Sequence, residues 1–263
     1  MNEEYYNITS AETVRSATLL KQLSPEIVAR HVSASLARKF NIPEYNDRRG
    51  IDLPLVELPR VSLFEEFLAP EELSELTNYV LARQEYFRTS QVISQTGNEG
   101  KTDYNHRRSR VLFELGIFHD LVSDRLMSYF PQILESIGHH TFKISSIEAQ
   151  ITATNDAEFF RMHNDNTHAC LLSREITYVF FFHREPAGFS GGELRIYNTR
   201  VENKRCIAQD TYQSIVPQQN MAVFFPSYMM HEVTTVRCPT QVFADSRFTL
   251  NGWIHCERQP HAQ

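Results

Sequence analysis

ITYVFFFHREPAGFSGGELRIYN, residues 176–198, holds two runs of β-branched and aromatic residues parted by the turn signal Pro186-Ala187-Gly188. Such side chains suit a half-buried pleated surface, and each run is too short for a buried helix, so both read as strands. The texture continues on either side. IEAQITA (147–153), FFRMHND (159–165), SIVP (214–217), MAVFFPS (221–227), HEVTTV (231–236) and RFTLNGWIH (247–255) bring the strand-like runs after Gly138 to eight. Asn155-Asp156 and Pro217-Gln218 mark further turns. Eight short strands so closely spaced predict a jelly roll or sandwich.

The first half reads differently. Ser10 caps a predicted helix to about Gln22, and Ser24-Pro25 starts a second that runs to about Phe40. Residues 41–60, with three prolines, read as an extended connection, and Val61 to Leu68 as a strand or buried lead-in. Pro70-Glu71-Glu72 opens a helix whose Leu73, Leu76, Val80 and Leu81 form one apolar stripe. Residues 94–110 read as a polar loop turning basic at its end. A further helix is expected from about Ile117 to Ser136, broken near Pro131. The expected architecture is α+β with a mainly β core: a helical N-terminal extension over 1–60, then a domain over 61–263 with flanking helices.

Composition narrows the function. The 263 residues are 41% hydrophobic and 22% charged, enough to bury a sizeable core. A net charge of −6 provides no global basic field for nucleic acid, and no apolar run approaches the ~18 residues of a membrane span. Cys170, Cys206, Cys238 and Cys256 form no C-x-x-C pair and match no zinc ribbon. The polar, acidic start MNEEYYNITSAETV is no signal peptide. These features predict a cytoplasmic protein with free thiols, in which the sequon Asn7-Ile8-Thr9 is accidental.

The chemistry-bearing residues begin with His163 and Asp165. Residues i and i+2 of a strand project from one face, so this imidazole and carboxylate can grip one ion. His231 opens a later run. H-x-D followed by a distant histidine can place two imidazoles and one carboxylate on one face of a metal, the arrangement of non-haem iron(II) oxygenases. Three ligands with open positions also suit catalytic zinc. Arg247, at the start of RFTLNGW, can hold a carboxylate through two parallel hydrogen bonds, with the Thr249 hydroxyl as a further donor on the same strand face. A dicarboxylate chelating iron at one end needs such an anchor at the other.

FFRMHNDN, REITYVFFFH, FSGGELRIY, VFFPSYMMHEVTTV and RFTLNGW, in that order, resemble the iron(II)- and 2-oxoglutarate-dependent dioxygenases, in their prolyl-4-hydroxylase-like branch. The resemblance covers about residues 145–256 and, more weakly, VSLFEEFLAPEELSEL from Val61. It implies a double-stranded β-helix, iron(II) held by His163, Asp165 and His231, and 2-oxoglutarate bound through Arg247. The implied reaction consumes O2 and hydroxylates an unactivated C–H bond, releasing succinate and CO2, with ascorbate open as a reductant. Two departures stand out. Thr154 occupies a position where many relatives carry a cosubstrate-binding tyrosine. The spacing from His231 to Arg247 is long, with CPTQVFAD inserted, which leaves Arg237 as an alternative anchor.

Other residues are weaker candidates. Arg161 shares the parity of His163 and Asp165, and Arg161 together with the basic run Arg107, Arg108 and Arg110 could meet an anionic substrate. Trp253 shares the parity of Arg247 and Thr249 and is read as a core residue or substrate contact. Gly191-Gly192 reads as a tight turn into a strand. The expected substrate is a small amino-acid-like or peptidyl metabolite. A prolyl hydroxylase acting on a protein is the alternative, and a non-catalytic jelly-roll module retaining a metal is the rival from another class. A homodimer is left open.

Overall fold

The computed structural model describes residues 55–93, 100–167, 171–202 and 205–257. The helices expected over 10–22 and 25–40, and Cys170, lie outside these residues. The chain divides into two compact units at Glu57/Leu58. Within the first, the Leu55–Glu57 strand is the described element.

The second unit is mainly β. One antiparallel sheet runs Ser62–Phe64, Met221–Pro226, Arg174–Phe182, Arg247–Cys256, Ile144–Thr154, Arg110–Leu112, Arg88–Thr89. A second sheet contains, side by side, Arg205–Ile215, Leu194–Glu202, His231–Val233, Phe159–His163 and Arg107–Arg108. Strand alternation gives the first sheet two different faces. On the Arg247–Cys256 strand, Phe248, Leu250 and Ile254 join a buried core with Ile151, Ala153, Ile176, Tyr178, Phe180, Phe182 and Phe224. The opposite face presents Arg247, Thr249, Asn251 and Trp253 to a cavity between the sheets. Further along, Phe181, Val223 and Phe225 meet Leu194, Ile196 and Ile215 of the second sheet and seal that space with apolar side chains.

Two helices cover the apolar face. The Pro70–Leu81 helix starts where proline costs nothing, at the first turn, and the Glu72 carboxylate accepts the Ala69 N–H at 2.8 Å. Its Leu76 and Val80 are buried in the core. Glu72 also pairs with Arg125 of the second helix, N···O 2.9 Å. That helix, Ile117–Ser136, runs unbroken through Pro131, contrary to the expected break. Its buried residues Phe118, Val122 and Leu126 lie before the proline and Ile133 and Leu134 after it, so packing holds both halves in line. The carbonyl that loses its partner belongs to Met127, which is exposed.

The basic end of the expected 94–110 loop is also different. Arg107–Arg108 is an edge strand paired with Phe159 and Phe160, and Arg110–Leu112 pairs with Ile151–Ala153. Its polar composition hides the pairing, because the Arg107 guanidinium lies 4.6 Å from the Phe160 ring centroid and Ser109 is buried against Ser90, Oγ to Oγ 2.8 Å. SIVP proves to be the end of a longer strand, Arg205–Ile215, whose outer residues are mostly exposed and so carry no apolar signal.

Gly252 marks where two strands and a tyrosine converge. A Cβ there would sit 1.8 Å from the Glu148 carbonyl oxygen and 2.7 Å from the Tyr178 hydroxyl, which itself donates to that carbonyl at 2.8 Å. Gly252→Ala forces the central strand pair apart and is expected to cost about 1–3 kcal/mol or more, read as a lower urea midpoint with an unchanged slope.

Candidate active site

The turn Asn155–Glu158 sends the chain from the first sheet into the second. The Asn155 side-chain amide donates to the Val242 carbonyl (3.1 Å) and the Ser246 hydroxyl (2.7 Å), anchoring the turn beside Arg247. The following strand, Phe159–His163, pairs with His231–Val233 so that His163 and His231 lie directly opposite. Their rings stand 4.1 Å apart, centroid to centroid. Two residues past His163, the Asp165 N–H donates to the Ser227 carbonyl at 2.9 Å, which fixes the carboxylate beneath both rings. Asp165 Oδ1 is 3.7 Å from His163 Nε2, and Oδ2 is 3.4 Å from His231 Nε2.

Each histidine is oriented by its other nitrogen. His163 Nδ1 lies 2.7 Å from the Arg161 carbonyl, and His231 Nδ1 lies 2.9 Å from the Met229 carbonyl. A carbonyl only accepts, so Nδ1 carries the proton and the Nε2 lone pairs face Asp165, as in metal-binding histidines. Asp165 is buried. Burial alone would raise its carboxyl, but the His231 and His163 imidazoles and the Thr177 hydroxyl, which donates to Oδ2 at 2.7 Å, together outweigh it, and the carboxyl is held below its ordinary range. The Trp253 indole N–H is directed at the same carboxylate but falls short of hydrogen-bond geometry. Burial, and then the neighbouring His231, push the His163 imidazole well below 6.5. Two lone pairs and an anion so arranged form a donor set for one divalent cation with open positions opposite.

Arg247 lies in the same cavity, 2% exposed. Its Nε donates to the Gly192 carbonyl at 2.7 Å, its Nη2 is buried without a partner, and burial pulls its pKa down to about 9. The guanidinium has no acidic partner among the described residues. A buried cation left so incomplete is costly and fits an anion that completes it. Gly192 is needed for this contact: at φ +67° it adopts a conformation L side chains rarely take, and its Cβ would meet Arg247 Cδ at 2.6 Å. Arg237, the alternative anchor, is exposed on the Val236–Arg237 strand and does not line the cavity.

Thr154 faces the cavity opposite Arg247 in register, with Thr152, Gln150 and Asn251 beyond it. No tyrosine lines the cavity among the described residues. Thr249 lines the same cavity, and its hydroxyl donates to Asn251 Oδ1 at 3.1 Å.

An outer recess opens beyond the metal-type triad, sharing Arg107, Phe160, His163, Asp165, Gln150 and Trp253 with the inner cavity. Neither Arg161 nor Arg108 lines either space. Both are exposed, stacked over the Phe159 ring at 4.2 and 5.5 Å. Of the three, Arg107 is the one that lines both spaces. Its Nε donates to Ser109 Oγ at 3.1 Å, and burial, partly offset by Asp165, lowers its pKa to about 10. Trp253 lies at the boundary under the Arg174 guanidinium, 3.4 Å from its ring centroid. Thr177, Gln150, Asn251 and the carbonyl of Gly192 were missed in the sequence. Asn251 shares the parity of Arg247 on its own strand, which is a signal that could have found it, while Gln150 and Thr177 reach the cavity through register, opposite Asn251 and Trp253.

Comparison with known proteins agrees with this geometry. Residues 149–255 match the family described as the 2OG-Fe(II) oxygenase superfamily. A PKHD-type hydroxylase of Synechocystis sp. is 37% identical over 192 residues, 72% of this chain and 61% of the relative, so the chain spans less than two thirds of that relative's length. Among solved structures, a prolyl-4-hydroxylase of Pseudomonas putida superposes with a TM-score of 0.53 at 15% identity, over 76% of this chain and 94% of its own. A prolyl hydroxylase from Trichoplax adhaerens, in complex with a hypoxia inducible factor peptide fragment, gives 0.52 at 15%, over 75% and 84%. At such identities these two speak for the fold alone.

The triad makes a direct prediction. His163→Ala, Asp165→Ala and His231→Ala should each abolish stoichiometric binding of Mn(II), an iron(II) surrogate, while circular dichroism shows the fold retained. Because the His163 imidazole is held well below 6.5, a proton should compete for its Nε2 only below that pH, read as the pH at which its ring NMR shifts move in the metal-free protein.

Proposed function

From the premise that this chain belongs to the 2OG-Fe(II) oxygenase superfamily, we propose that it is an iron(II)- and 2-oxoglutarate-dependent hydroxylase of a small amino-acid-like or peptidyl substrate that carries an anionic group. The two sheets are read as a double-stranded β-helix with the site between them. The observation that carries the proposal is one cavity holding both a His-Asp-His donor set and a buried guanidinium without a carboxylate partner. His163, Asp165 and His231 would hold iron(II), and Arg247 would take the distal carboxylate of 2-oxoglutarate. When bound, the metal supplies oxidation of a C–H bond by O2 coupled to release of succinate and CO2.

The chain's own residues do the rest. Gly192 presents its carbonyl to Arg247 and fixes the guanidinium plane. Thr177 and the two backbone carbonyls orient the metal ligands. Phe181 and Val179 back the inner end of the cavity and limit water there. Arg107, between the inner cavity and the outer recess, is assigned the anionic group of the substrate, in place of the exposed Arg161 and Arg108. Holding that group at a fixed distance from the metal selects which C–H bond is oxidised. A non-catalytic module would have no use for Arg247 buried unpaired.

The test is succinate release dependent on both iron(II) and 2-oxoglutarate, followed by a mass-spectrometric search for oxygen-added products over amino acids and short peptides with free carboxylates. No succinate above the His163→Ala background would end the proposal. Arg247→Ala should raise the KM for 2-oxoglutarate by roughly 30-fold or more, since breaking a buried charge pair costs on the order of 2–5 kcal/mol. Arg247→Lys should recover part of this, because an ammonium cannot form the two-pronged contact, while Arg237→Ala should be neutral. Arg107→Met should raise the KM of the true substrate by about tenfold or more, with a smaller shift for 2-oxoglutarate than Arg247→Ala gives.

A further inference from the structure

A second group of metal-type donors lies where the long helix ends. After Gly138, His139 and His140 stack with ring centroids 4.4 Å apart. His139 Nε2 is 3.3 Å, and His140 Nε2 3.9 Å, from the same oxygen, Oε1 of Glu175. The three donor atoms lie within 4.8 Å of one another. His139 Nδ1 sits 2.9 Å from the His140 carbonyl, which leaves its Nε2 lone pair facing the carboxylate. That is the device that orients His163 and His231.

From these contacts we propose that His139, His140 and Glu175 form a second transition-metal site, of zinc type with water completing the ligand set, separate from the oxygenase centre. Imidazole nitrogen and carboxylate oxygen are ligands zinc takes, at bond lengths of about 2.0–2.2 Å. Ligand atoms on a tetrahedral ion of that size lie roughly 3.3–3.6 Å apart. The 3.3 Å and 3.9 Å separations match that spacing once the exposed His140 ring shifts by a few tenths of an ångström. His139 is 7% exposed and Glu175 24%, while His140, 74% exposed, gives the ion a way in.

The site would join two segments otherwise tied by packing. His139 and His140 follow the Ile117–Ser136 helix, and Glu175 stands at the start of the Arg174–Phe182 strand. An ion there staples the covering helix to the sheet. It takes no part in the oxidation, and the proposal stands or falls independently of that reading.

The test uses the full chain, stripped with a chelator and titrated with zinc at free concentrations on the order of micromolar. Wild type should bind two equivalents by mass spectrometry of the metal. His140→Ala, a surface change that leaves the core intact, and Glu175→Gln should each bind one, whereas His163→Ala should keep the second site. Zinc should raise the thermal midpoint of His163→Ala and have no such effect when His140→Ala is added. If His163→Ala binds no zinc, or if His140→Ala binds as many equivalents as wild type, the proposal is overturned.

Discussion

A carboxylate buried between two imidazoles is the constraint around which this protein is arranged. Removing Asp165 from water is unfavourable, and the chain compensates with a hydroxyl from Thr177, the positions of His163 and His231, and a backbone hydrogen bond to Ser227. Each of those groups comes from a different strand or turn, so the site exists only once both sheets are formed. The antiparallel register that sets His163 opposite His231 also sets Arg247 opposite Thr154, and the two ends of the cavity are thereby placed by hydrogen-bond ladders rather than by loops. Positioning of this kind is stiff, because shifting either ladder by one residue would turn every cavity side chain outward.

The parts of this arrangement legible in the sequence were those with a period. Strands rich in Phe, Val and Ile announced themselves, and so did the apolar stripe of the Pro70–Leu81 helix. His163, Asp165 and His231 came together as their order and spacing suggested, and Arg247 reached the same cavity despite the inserted CPTQVFAD. That insert folds back on itself: Phe243 is buried against Phe248 and Phe87, and Asp245 is buried beside Arg184, Nε to Oδ1 2.6 Å. Its length therefore leaves the strand register undisturbed.

What remained illegible depended on partners distant in the chain. Arg107, Arg108 and Arg161 are alike in composition, and nothing local tells which one a neighbouring strand will bury. The pairing with Phe159 and Phe160 decides it: Arg107 turns inward onto the Phe160 ring, while Arg108 and Arg161 share the outer face of Phe159. Gly192 looked like a turn residue and is one, but its carbonyl is also a ligand to a guanidinium 55 residues away. Pro131 obeyed the local rule in losing a hydrogen bond and defied it in continuing the helix, because burial of Ile133 and Leu134 outweighs one exposed carbonyl.

The two-faced Arg247–Cys256 strand has a consequence for how such a protein changes over time. Residues 247, 249, 251 and 253 line the cavity while 248, 250 and 254 sit in the core, so the two sets meet different physical demands although they alternate along one chain. Substitutions at 249, 251 and 253 change the chemistry of the cavity wall with the core left in place, and volume-conserving apolar substitutions at 248, 250 and 254 leave the cavity wall as it is. The strand behaves as two interleaved alphabets, one free to innovate because the other stays conservative.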